Sequence, residues 1–359
     1  MPADEARRSH AIAIARVICI LGVVYVHAWT GLNGAALEAL RGTAQETLRW
    51  ALMEIFGRSA VPLLGLISGW LVAGSDGVHD WPGHVRRKAR TILLPMILWN
   101  VLAILLVSGA AWVASLRAPV PTSLWWVMEE LLIVSRNPDI NVQMPFLRDL
   151  FLCMVIAPLL VRLPGWALWL VVLGVATAHV VGLGPPLLMR ASILCFFTLG
   201  MLARRGGWER RAVALPLAAA ILPFALLIGI QLYATVGLAE MPPMPVRNAI
   251  DLAVRIAAAL AFWRLAWALA GSGARTLLLR IEPFAFFLFC AHLILIWLGG
   301  PMLGALFGPI GSPLYPLYLL IQPLLILMAV ILIATVLRRI APGAATILSG
   351  GRIRRVRGR

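Results

Sequence analysis

The stretch Arg16-Val17-Ile18-Cys19-Ile20-Leu21-Gly22-Val23-Val24-Tyr25-Val26-His27 sets a cation and a titratable imidazole at the two ends of an apolar run. They stand eleven positions apart. At about 100° per residue this is three turns plus roughly 20°, so in a helix both project from nearly the same face, with a rise of about 16 Å between them. Taken singly, Arg16 reads as a cation snorkelling to an interface and His27 as an interfacial histidine bonded to a neighbouring helix. On one face of one membrane helix the two are costly to keep, and the joint reading is a functional site facing a polar cavity.

Other charged residues stand at spacings that could carry chemistry. Arg86-Arg87-Lys88-Ala89-Arg90 precedes an apolar run that starts at Thr91. Arg87 and Arg90 share a helical face beside a helix start that favours anions, and the arginine fork suits phosphate groups. The same cluster also reads simply as a positively charged inner loop. Glu54 and Arg58 have the spacing of a local helical pair, and Asp251 and Arg255 repeat it. Arg148 and Asp149 stand together at the start of another apolar run, and His292 lies alone inside Phe286-Phe287-Leu288-Phe289-Cys290-Ala291-His292. A lone intramembrane histidine is more often a satisfied bundle residue than a catalyst. No P-loop, HExxH or GxSxG motif occurs.

The elements that must position these residues are membrane helices. Of the 359 residues 61% are hydrophobic and 13% charged, about half the charged share of a soluble domain. The segments are continuous apolar runs, not alternating strands, which excludes a β-barrel. A net charge of +16 invites nucleic-acid binding, but the arginines sit in short clusters between apolar segments and argue against it. The four cysteines lie inside apolar segments without CxxC spacing; they read as small hydrophobes, and neither a disulfide nor a metal site is expected.

Hydropathy predicts an all-α, polytopic helical bundle of about ten transmembrane helices, at residues 11–29, 50–73, 91–114, 145–161, 166–181, 188–203, 212–234, 249–269, 283–298 and 314–337. A long outer segment carrying Trp125-Trp126 and Glu129-Glu130 separates the third and fourth. With both termini cytoplasmic, basic residues fall on the inner side about twice as often as on the outer. Residues 1–340 form the membrane domain, and residues 341–359 a short, basic cytoplasmic tail. No soluble domain and no internal repeat is evident.

Several short motifs, in order along the chain, resemble the acyltransferase-3 family of integral membrane O-acyltransferases. They are Arg16 with His27; Arg58-Ser59-Ala60-Val61-Pro62 followed by Ser68-Gly69-Trp70-Leu71; Arg87-Lys88-Ala89-Arg90 running into Leu94-Pro95 and Trp99; Phe146-Leu147-Arg148-Asp149-Leu150; and Phe289-Cys290-Ala291-His292. Pro145 stands where the family usually has tryptophan, and Cys290 is an unusual letter in the last motif.

The resemblance implies transfer of an acyl group, acetyl by expectation, from cytoplasmic acyl-CoA to a hydroxyl of a cell-surface polysaccharide, glycolipid or lipid-linked sugar. It implies His27 as the catalytic histidine, with Arg16, Arg87 and Arg90 binding the donor. Imidazole can deprotonate the acceptor hydroxyl or itself take the acyl group. A carboxylate orienting it is expected from such chemistry, with Glu54 and Asp149 as candidates. Arg58, Arg148 and His292 are expected on the acceptor side. Acyl-CoA, the glycan acceptor, the bilayer of the bacterial inner membrane and a separate periplasmic acyl-handling protein are the expected partners, with no metal and no nucleic acid. The competing readings are a transporter or flippase of a lipid-linked glycan with Arg16 and His27 lining its path, and a structural subunit of an envelope assembly.

Overall fold

The computed structural model describes residues 3–114, 116–183, 187–237 and 241–353. The turn Gly184-Pro185-Pro186 and the last six residues of the tail lie outside the described residues. All regular elements among those described are helical. The principal ones are α1 (Ala3–Val26), α2 (Ala44–Ala73), α3 (Trp81–Ala114), α4 (Leu124–Leu132), α5 (Pro145–Leu160), α6 (Gly165–Val180), α7 (Ala191–Arg205), α8 (Leu217–Thr235), α9 (Met244–Ala270), α10 (Arg275–Phe307), α11 (Tyr315–Ile340) and α12 (Pro342–Leu348).

Seven of these, α1, α2, α3, α8, α9, α10 and α11, are long and apolar enough to cross a membrane. The protein is accordingly a multi-pass membrane protein. Helices α5, α6 and α7 have 16, 16 and 15 residues, about 24 Å of rise or less against a hydrocarbon core of about 30 Å.

Three of the long helices are not uniform, α8 among them with a π-turn at Tyr233–Gly237. The π-turns Met53–Arg58 in α2 and Ala89–Leu93 in α3 are closely followed by Pro62 and Pro95, whereas Ile104–Ser108 in α3 has no such proline. Proline removes one helical donor and crowds the carbonyl four residues earlier, so widening the turn ahead of it relieves both problems. The segment expected as a bare tail begins with α12, whose end is docked: Trp99 Nε1 donates to the Leu348 carbonyl at 3.0 Å, and Ser349 and Ile353 are buried.

The chain divides into two compact units. The first comprises Met1–Gly22, Glu54–Arg86 and Asp149–Glu282. Here α7 lies along α2, with glycine at both contact points. A Cβ at Gly69 would strike the Phe197 carbonyl, and one at Gly200 the Leu66 carbonyl. Close backbone approach through small residues is how membrane helices gain packing without a hydrophobic drive. α8 packs on α9 and leaves Leu222, Leu226 and Ile230 exposed, as suits a helix facing lipid.

The second unit comprises Val23–Met53, Arg87–Arg148 and Pro283–Arg359. α11 shows its two-sidedness plainly. Leu317, Leu320, Leu324, Met328 and Leu332 are exposed at helical spacing, whereas Tyr315, Tyr318, Gln322, Ile326 and Val330 are buried. The buried tyrosines join Ala28, Leu52 and Ile310 in one apolar cluster beside the residues that follow α1.

Candidate active site

His27 lies just past the last turn of α1, where its N–H reaches the Val24 carbonyl at 3.2 Å. The chain then reverses through Gly31, whose φ of +70° disfavours a side chain. Two bonds hold the bend: Ile310 N–H donates to the Thr30 carbonyl (2.8 Å), and the Tyr315 hydroxyl donates to the Trp29 carbonyl (3.1 Å). The half-buried imidazole lines a cavity of about 940 Å³ within the second unit. Arg49, Arg117, Asp139 and Trp297 also line it. Glu46 holds Arg49 by two contacts, at 2.6 and 2.7 Å.

α10 brings His292 beside His27. The ring centroids are 5.4 Å apart with planes inclined by 37°, and His292 is fully buried. Its Nδ1 lies 2.8 Å from the Phe289 carbonyl and 3.2 Å from that of Leu288. A carbonyl only accepts, so Nδ1 carries the proton and Nε2 of the neutral ring is left with a lone pair. That Nε2 is buried and has no hydrogen-bonding partner among the described residues. The second histidine is therefore set in the tautomer a base requires.

A chain of buried amides supports this arrangement. Gln143 Nε2 donates to the Phe289 and Cys290 carbonyls at 3.5 and 3.4 Å. Asn141 Nδ2 donates to Asn100 Oδ1 at 3.0 Å, and Asn100 Nδ2 to the Leu131 carbonyl at 3.2 Å. The same segment is anchored by the two buried glutamates of α4. α4 ends at Ile133 with φ +57°, a strained conformation for a β-branched residue. Glu129 secures the turn by accepting from the Ser135 hydroxyl (2.6 Å) and from the N–H groups of Ser135 and Arg136. Glu130 accepts the N–H groups of Asp139 and Ile140. Asp139 in turn accepts from Trp126 Nε1 (2.7 Å) and Arg136 Nη1 (2.8 Å), and the Ile140 carbonyl accepts from Trp297 Nε1 (3.3 Å).

The two glutamates differ electrostatically. Burial raises both, but the donors gathered on Glu129 reverse this and hold it below the ordinary carboxylate value. Glu130 stays above that value, because burial outweighs its two backbone donors and the Asp139 carboxylate adds to the rise.

The remaining expected site residues are placed as follows. In the second unit, Arg87 and Arg90 are exposed on the first turns of α3, and Arg148 is half-buried with Nη2 3.4 Å from the Val134 carbonyl. In the first unit, Arg16 Nη1 meets Glu282 Oε1 at 3.5 Å. Glu54 is buried with both oxygens engaged, one by Arg58 (2.7 Å) and one by Gln231 (3.4 Å). Asp149 spends its two oxygens on the N–H groups of Met189 and Arg190, at 3.2 and 2.8 Å. Asp251 pairs with Arg255 (2.6 Å) and with His179 (3.2 Å). His27 and His292 each stand out in the sequence, but their contact does not. Glu282, Gln143 and Asp139 become visible only through their partners.

A multi-pass helical protein with an imidazole pair beside a polar cavity fits membrane group transfer, and the comparisons agree that it is an acyltransferase. Residues 9–338 match the acyltransferase-3 family model, described as an acyltransferase domain, so the chain belongs to that family and is a membrane acyltransferase. It is similar to the succinoglycan biosynthesis protein ExoH of Rhizobium meliloti (strain 1021): 27% identical over 366 residues, covering 97% of this chain and 94% of that protein. No solved structure matches.

Proposed function

We propose that the protein moves a short acyl group, acetyl in the first instance, from cytoplasmic acyl-CoA to a hydroxyl of a cell-surface polysaccharide, glycolipid or lipid-linked sugar. The observation that carries this reading is His27 on a polar cavity with Nε2 of His292, unpartnered among the described residues, beside it. The relative's role in succinoglycan biosynthesis supports a polysaccharide acceptor. In this reading α5, α6 and α7 complete about ten spans in a bacterial inner membrane, with both termini cytoplasmic.

Neutral imidazole at His27 accepts the proton of the acceptor hydroxyl as its oxygen bonds to the thioester carbonyl carbon. The carbon–sulfur bond then breaks, and the thiolate of CoA leaves with the proton returned by the imidazolium. An acyl-imidazole at His27 would divide the same transfer into two steps with the same products. His292 stands where it can share or relay the proton. Arg87 and Arg90, exposed on the first turns of α3, are assigned to the donor's phosphates, and Arg16 to the donor's path. Asp139 is the carboxylate on the cavity wall, whereas Glu54 and Asp149 have both oxygens committed elsewhere. Arg58, Arg148 and a separate periplasmic acyl-handling protein remain assigned to the acceptor side.

The test is covalent. Purified protein in detergent, given acetyl-CoA and a polysaccharide precursor, is expected to release free CoA and to add the mass of the acyl group to the glycan. Movement of a lipid-linked glycan across vesicles with no CoA released would favour a flippase instead.

A further inference from the structure

The first unit carries two adjoining cavities that the transfer reaction does not use. One, of about 220 Å³, is an apolar crevice lined by residues such as Leu63, Ile67, Phe196 and Ala259, with Trp70 and Trp263 among its walls. The other, of about 400 Å³, is a charged mouth lined by Arg8, Arg204 and Arg210 against Asp4 and Glu209. They meet at Glu209 and at the stack of arginines on Trp70. Glu209 lines both, and Trp70 of the crevice is stacked by Arg204 at 4.0 Å and Arg8 at 5.4 Å.

Three chemistries therefore follow one another along a single path. The mouth holds three arginines against two carboxylates, with Arg8 already bonded to Glu209 at 2.8 Å. Next come two indoles, Trp70 and Trp263, whose buried Nε1–H groups have no acceptor among the described residues. A buried indole N–H ordinarily finds a partner, so two such orphans beside one crevice point to an acceptor that arrives from outside. Beyond them the lining is hydrocarbon.

From this we infer a binding site for an anionic glycerophospholipid: its phosphate in the arginine mouth, its ester carbonyls accepting from the two indoles, and one acyl chain in the crevice. Charge complementarity selects the occupant, since a zwitterionic lipid gains less from the excess arginine. The mouth and crevice lie wholly in the first unit, so the inference stands independently of the assignment of His27.

Native mass spectrometry of the full chain in detergent tests it, with palmitoyl-oleoyl phosphatidylglycerol and phosphatidylcholine as probes. The wild-type protein is expected to retain one phosphatidylglycerol in preference to phosphatidylcholine. Arg210→Gln, at an exposed position, is expected to weaken phosphatidylglycerol about fivefold and leave phosphatidylcholine unchanged. Ala259→Phe, which fills the crevice, is expected to abolish retention of both. If that variant fails to fold, Ala212→Phe fills the crevice from a more exposed position. Equal retention of the two lipids, wild-type retention in the filled variant, or displacement of the lipid by acetyl-CoA would each overturn the assignment.

Discussion

The imidazoles of His27 and His292, 265 positions apart in the chain, lie with ring centroids 5.4 Å apart. α1 supplies one at its end and α10 the other from its interior. The Phe289 carbonyl of α10 accepts a hydrogen bond from Nδ1–H of His292 and leaves its Nε2 to the site.

That tautomer gives the first prediction. His292→Asn keeps a donor near the Nδ1 position for the Phe289 carbonyl but deletes Nε2. Acyl transfer is expected to fall on the order of 100-fold, within the usual range for general acid–base catalysis. Thermal unfolding in detergent should stay near that of the wild type. A wild-type rate in this variant would make His292 a packing residue.

The α4 glutamates give a prediction with a defined sign. Folding lowers Glu129, so its anion adds stability above the ordinary carboxylate range, and this is lost as pH falls through its folded-state value. Folding raises Glu130, so its share is present at low pH and is lost as pH rises through its raised value. At neutral pH Glu129→Gln should therefore cost more stability than Glu130→Gln. The gap between wild type and Glu129→Gln should narrow below about pH 4.5. Melting temperatures of the three proteins across pH decide it.

The basic start of α3 is tested by kinetics. Arg87→Gln with Arg90→Gln is expected to raise KM for acyl-CoA roughly tenfold, the loss of charge-assisted contacts to phosphate, with kcat little changed. Unchanged KM would leave these arginines as determinants of topology alone.

The helical class was legible in the sequence because it depends on local pattern: apolar runs of bilayer length report spans. The expected alignment of Arg16 and His27 rested on an unbroken helix through both, whereas α1 ends at Val26 and Arg16 meets Glu282. The His27–His292 contact was not legible, since each histidine alone has an ordinary structural explanation and only tertiary packing joins them. Glu129 and Glu130 stood out as charges, but their partners are backbone N–H groups of the following loop, and no residue letter records those. α12 was hidden in the basic composition of the tail; what shows it is Trp99 bonding to the Leu348 carbonyl. The short α5, α6 and α7 came from apolar segments whose helical length hydropathy does not fix.

If His27 performs the transfer, His27→Ala abolishes it. The substitution removes the imidazole at the cavity and leaves Gly31, Tyr315 and the bend after α1 in place. With acetyl-CoA and glycan supplied to the purified variant, the expected result is a folded, membrane-inserted protein that releases no CoA above background. Wild-type release of CoA and acylation of the glycan by that variant would contradict it.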